Sequence, residues 1–161
     1  MKKQVFSFLL IFLFAFIVSS QTNEARKIDE FNSVNHDGLR SRLDSLAIEV
    51  NNHPASKGYI IVYTGKFIIY KLDNKGSFKD SNETILPRLG QSNANIECMM
   101  KHLLGWRNMP KEKLLFISGG YRELYTVELW LVPNGITLKP SPTLTEMKYR
   151  KGKPVDICSE I

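Results

Sequence analysis

The chain has 161 residues with 22 Lys and Arg against 16 Asp and Glu, a formal net charge of +6, and only two cysteines. That is one domain's worth of sequence, long enough to bury a core. Two cysteines 60 residues apart and three scattered histidines, His36, His53 and His102, exclude the usual zinc-finger spacings, so no metal or other cofactor is expected.

The N-terminus reads as a secretory signal peptide over residues 1–20. Lys2 and Lys3 precede an apolar run from Val5 to Val18 broken only by Ser7, and the small residues Ser19 and Ser20 suit cleavage before Gln21. The run is shorter than the roughly twenty apolar residues of a spanning helix, and no later segment is apolar enough to cross a bilayer, so no transmembrane span is expected after cleavage. An uncleaved anchor is the alternative. Loss of Lys2 and Lys3 lowers the net charge to about +4. An exported destination, periplasmic or extracellular, makes nucleic acid an improbable partner.

Residues 21–36 form a polar lead-in in which Ile28 and Phe31 are placed to dock onto the domain. From Asp37 to Asn52, Leu39, Leu43, Leu46, Ala47 and Val50 share one helical face, with Asn35 or Asp37 available as cap and Pro54 closing the segment. Tyr59–Tyr63 is β-branched and aromatic on both sides and predicts a central strand. Phe67–Leu72 is a weaker strand ended by the turn signal Asp73-Asn74-Lys75-Gly76, and the polar run to residue 90 predicts a surface loop.

A second helix is predicted from Ser92 to Trp106, with Ile96, Met99, Met100, Leu103 and Leu104 as its buried stripe. Cys98 then lies about 180° from that stripe, where a returning tail can reach it, so Cys98 and Cys158 form a candidate disulfide. Leu114–Ser118 and Thr126–Val132 predict two further strands. Their separation argues for a hairpin, with Gly119-Gly120 as a joint and Tyr121-Arg122-Glu123 as a polar turn. Val127, Leu129 and Leu131 alternate with Thr126, Glu128 and Trp130, one face buried and one partly wet. Residues 136–161 read as a proline-containing linker and a tail whose basic residues are Lys148, Arg150, Lys151 and Lys153.

Two helices on one face of a three- to four-stranded sheet give an α/β (α+β) two-layer sandwich spanning residues 37–135. No hydrolase elbow surrounds Ser118, and neither a phosphate-binding loop nor a dinucleotide fingerprint occurs, so an enzyme is not expected. The strongest binding candidates are Tyr121, Arg122 and Glu123. They offer an aromatic face, a forked cation and a carboxylate beside two glycines, with Lys66 as a further cation.

The segments Gly58-Tyr59-Ile60-Ile61-Val62-Tyr63-Thr64-Gly65, Met99 to Leu104, Asn108 to Leu114 and Gly119 to Glu123 resemble the C-terminal domain of the outer-membrane protein A family. The likeness runs from about Leu39 to Val132, with an insertion near residues 67–89. The Gly-Gly-Tyr-Arg-Glu and Thr-Val-Glu-Leu-Trp-Leu-Val-Pro phrases are also similar to exported proteins of soil bacteria. The resemblance implies an OmpA C-terminal-like fold and a non-catalytic cell-envelope role, binding peptidoglycan or another envelope polymer. The alternative is a secreted or periplasmic assembly component whose partner is an envelope protein. The family's peptide-binding aspartate and arginine have no counterpart, since Thr64-Gly65-Lys66 and Asn95 or Ile96 occupy those places.

Overall fold

The computed structural model describes residues 24–72, 78–155 and 158, so the expected signal peptide (1–20) and the expected turn at 73–76 lie outside the described residues. Five strands and two helices follow the order β1 (Arg26–Phe31), α1 (His36–Asn52), β2 (Ser56–Leu72), β3 (Phe78–Ile85), α2 (Gln91–Met100), a π-helical turn (Lys101–Trp106), β4 (Leu114–Leu124) and β5 (Thr126–Pro133). The architecture is the α+β two-layer sandwich anticipated from the sequence, with the helices packed on one face of the sheet.

The main sheet is mixed, in the order β1–β5–β2–β4. β5 is antiparallel to both β1 and β2, and β4 is parallel to β2. Central β2 is apolar on both faces because each is covered. Ile60 and Val62 join Leu43, Leu46, Met99, Leu103, Val127 and Leu129 in the core beneath the helices. Ile61 and Tyr63 are equally buried on the opposite face.

Helix α1 follows its predicted stripe residue for residue, with Leu39, Leu43, Leu46, Ala47 and Val50 buried, and Asn35 Oδ1 accepting the Gly38 N–H at 2.9 Å as N-cap. Helix α2 is rotated from the predicted stripe. Met99 and Leu103 are buried as expected, but Ile96, Met100 and Leu104 are only partly so, and Gln91, Ser92, Asn95, Cys98 and His102 take the inner face. The rotation follows from partners that periodicity of apolar residues does not see. Gln91 bonds Asn95 and Val155, Ser92 bonds Thr64, and His102 bonds Asp44, so each of these four buried polar side chains on α2 and the π turn has a partner, although Asn95 Nδ2 is left without one.

Three further expectations are corrected. The polar lead-in contributes an edge strand, β1, whose Phe31 enters the core. The polar segment at 78–85, expected as loop, is a strand: β3 pairs with the outer part of β2 from Phe67↔Ile85 to Leu72↔Phe78. Strands β4 and β5 do not form a hairpin. They flank β2 on opposite sides, joined by Tyr125 alone, so the chain must pass directly over β2.

Gly65 makes that passage possible. A Cβ at this position would lie 2.1 Å from the Leu124 carbonyl carbon and 2.4 Å from the Tyr125 nitrogen. The crossing is pinned by the Tyr125 N–H donating to the Lys66 carbonyl at 2.9 Å, and the Tyr125 ring stacks on Phe67 with centroids 4.6 Å apart. Burial pushes the Tyr125 phenol above its ordinary pKa, an effect that the neighbouring Asn95 side chain opposes.

Candidate functional site

Strand β4 does not stop at the two glycines. It runs on to Leu124, so Tyr121-Arg122-Glu123 is strand and not turn. The pairing slips between Val62↔Ser118 and Thr64↔Tyr121, which leaves one extra residue in β4 and makes a β-bulge. Gly120 takes φ +88° there, a left-handed conformation that a side chain would strain. The bulge reverses the alternation of side chains: up to Ser118 the even-numbered residues pair toward the helical layer, and after it Tyr121 does. This phase change separates the predicted site residues.

Tyr121 faces an open cleft of about 510 Å³, lined by Thr64, Arg88, Ser92, Ser118 and Tyr149 beside it. The cleft lies beside the bulge, where the parallel strands β2 and β4 pair at Thr64↔Tyr121, and at the start of α2. A helix start gathers anionic or polar ligands, because its unpaired N–H groups converge there. The first turn of α2 carries no side-chain cap: Gly90 holds the N-cap position at φ 81°, and its C=O accepts the Ala94 N–H. The Ser92 and Thr64 hydroxyls are 2.5 Å apart on the cleft wall. Across it, burial first and a hydrogen bond with Tyr121 second push the Tyr149 phenol up to about 12, so the Tyr149 ring enters as a neutral hydrogen-bonding group at physiological pH.

Arg122 points to the opposite face and is engaged there. Its guanidinium lies 3.6 Å from the Tyr63 ring centroid, donates to Glu128 at 2.9 Å and to the Ser141 hydroxyl at 3.0 Å. Glu128, only 4% exposed, also accepts from Trp130 Nε1 at 3.0 Å, Lys27 Nζ at 3.1 Å and Tyr63 at 3.2 Å. Burial pushes the Glu128 carboxyl up, but the bonds from Trp130, Lys27 and Arg122 outweigh it and hold the carboxyl below its ordinary value.

The segment after β5 closes over this network. The Ser141 N–H donates to the Tyr63 hydroxyl at 3.1 Å, and the Thr143 and Leu144 N–H groups both bond the Tyr121 carbonyl. The predicted linker is therefore a strap. The tail continues past the cleft, where the Arg150 N–H bonds the Pro87 carbonyl and Gln91 Oε1 accepts the Val155 N–H at 2.9 Å. Glu123 and Lys66 are paired at 3.0 Å beside a neighbouring hollow of about 390 Å³ that the tail also lines. Of the four predicted residues, Tyr121 enters the cleft, Lys66 and Glu123 neutralise one another, and Arg122 is structural.

Sequence reasoning missed Ser92, Thr64, Arg88 and Tyr149 as cleft residues. The signal available was the polar series Gln91, Ser92, Asn95, which shares the period of Cys98, Met99, His102 and Leu103. Cys98 and Cys158 are joined as a disulfide with Cα atoms 5.6 Å apart. His36 completes with them the one metal-competent set among the described residues, its donor atoms lying within 4.8 Å, but both sulfurs are committed to the disulfide. No helix of the described residues is long and apolar enough to cross a membrane.

No protein-family profile matches the chain, and no curated protein or solved structure shows significant similarity to it.

Proposed function

We propose that this is an exported, non-catalytic cell-envelope domain, related in architecture to OmpA C-terminal-like domains, that binds peptidoglycan through the cleft between Thr64, Ser92 and Tyr121. The observation that carries the reading is the placement of that cleft, of about 510 Å³, at the start of α2, which has no side-chain cap, and beside the bulge of β4. Helix N–H groups, two hydroxyls and Arg88 suit a carboxylate or an acetamido oxygen, and the Tyr121 and Tyr149 rings suit the apolar face of a sugar or a peptide methyl. The signal-like N-terminus and the disulfide support an exported setting.

The residues that would recognise the polymer differ from the aspartate and arginine used by the family the sequence resembles. Binding here would rest on hydroxyls, one helix terminus and the single cation Arg88, so it should resist salt better than binding by the clustered cations of the tail. Co-sedimentation of the protein with purified sacculi over a salt series tests this. Retention at moderate salt that is lost on Ser92→Arg, which fills the cleft, and on Tyr121→Ala supports the reading. Absence of retention at low salt, or retention unchanged in both variants, removes it.

A further inference from the structure

On the helical layer, away from the cleft and independent of the reading just given, α1 and the π-helical turn enclose a second hollow. The α2 helix does not continue regularly beyond Met100. The Arg107 N–H bonds the His102 carbonyl at 2.9 Å, an i+5 bond that marks a π turn. The turn ends with Trp106 on the surface, 70% exposed, while His102 and Leu103 are buried. A tryptophan left in water forfeits much of its burial energy, and exposed apolar surface rimmed by polar residues marks interaction sites.

Trp106 is held in place by Arg40, whose guanidinium lies 4.5 Å from the indole centroid. Between them and the Cys98–Cys158 disulfide is a groove of about 230 Å³ with Leu39 and Leu43 as floor. Among the described residues its polar lining is Arg40, Lys101, His36 and His102, with no carboxylate. The nearest acid with assigned partners, Asp44, is taken: His102 bonds it at 2.7 Å and Arg107 holds it through two nitrogens. The groove is thus apolar within and, among the described residues, rimmed by cations that have no ion-pair partner.

We propose that this groove is a docking site for an acidic partner peptide, which inserts one large apolar side chain and pairs flanking carboxylates with Arg40 and Lys101. Size selects the occupant: whole small-molecule ligands fill pockets of roughly 300–1,000 Å³, whereas this volume suits a single anchor residue. Charge selects the flanks, since a basic or neutral peptide would leave the rim cations unpaired. Tryptophan and arginine are also the residues most enriched where binding energy concentrates.

The test is selection of a displayed random dodecapeptide library against the oxidised full-length protein, followed by affinity measurement with synthetic versions of the enriched peptides. Enrichment of sequences with an aromatic or aliphatic residue between Asp or Glu is expected, with affinity falling at least tenfold for Trp106→Ala and for Arg40→Glu. Trp106 is largely solvent-exposed, so its removal leaves the core intact, and circular dichroism of both variants verifies the fold. No enrichment, enrichment of peptides lacking acids, or equal affinity for the variants overturns the proposal. Self-association in sedimentation equilibrium that Trp106→Ala abolishes also overturns it, by making a second copy of the chain the occupant.

Discussion

Replacing Glu128 with glutamine keeps the shape of the side chain and removes the charge on which four donors converge. Its side chain is 5% exposed and that of Arg122 15%, so this pair behaves as a buried ion pair, for which loss of one partner costs about 3–5 kcal/mol. The Lys27 contribution is discounted, because that side chain is 35% exposed and its ammonium retains Glu30, leaving well under about 1 kcal/mol. Glutamine can still accept from Trp130 and Tyr63, which returns about 1 kcal/mol. The net expectation is a loss of about 3 kcal/mol, or a fall in Tm of roughly 10 °C for a domain of this size.

Urea unfolding followed by tryptophan fluorescence measures this, since Trp130 is itself a donor to Glu128. In a double-mutant cycle with Arg122→Met, the coupling between the two sites should be about 1–3 kcal/mol, and the double variant should be less destabilised than the sum of the singles. A Glu128→Gln protein within about 0.5 kcal/mol of the parent would refute the assignment of this network as the anchor of the strap and of the bulged strand.

The same carboxyl predicts a pH dependence. Its folded pKa is depressed below the ordinary 4.5, so its contribution is complete above that value and is lost as pH falls through the folded pKa. Acid titration of stability should therefore show a steeper decline below pH 4.5 in the parent than in Glu128→Gln. Reduction of Cys98–Cys158, or Cys98→Ser, releases a loop of sequence separation 60 and should cost about 4 kcal/mol by the chain-entropy estimate, read as a lowered urea midpoint; an unchanged midpoint would mean the tail stays closed without the bond. Gly65→Ala should destabilise by about 3 kcal/mol or more, because the clash at 2.1 Å is with backbone that cannot rotate away; calorimetry showing a change under about 1 kcal/mol would contradict the crossing over β2.

Much of the helical and strand content was legible because it is local. The α1 stripe from Leu39 to Val50, the alternation in Val127, Leu129 and Leu131, and the β-branched run at Tyr59–Tyr63 each declare their periodicity within a few residues. The disulfide was legible too, as the single pairing two cysteines permit. What failed was what depends on neighbours distant in sequence. Strand β1 carries charged residues because its polar side chains find Glu49, Glu128 and Arg42 across the sheet and the helix layer, and no local pattern announces such partners.

The candidate site divides in the same way. Composition and order marked Gly119 to Glu123 as unusual, and the region does adjoin the cleft. Which of its side chains enters was decided by the extra residue that β4 carries between Ser118 and Tyr121, since the period of a strand is two and one inserted residue exchanges the faces. The sequence by itself determined the two-layer architecture, the principal core and the disulfide, through periodicities short enough to read along the chain. Only tertiary structure decided that β4 and β5 lie on opposite sides of β2, that the proline-containing segment is a strap, and that Arg122 is consumed by Glu128. Each of these is a contact between surfaces far apart in sequence, and its energy exists only once the sheet has assembled.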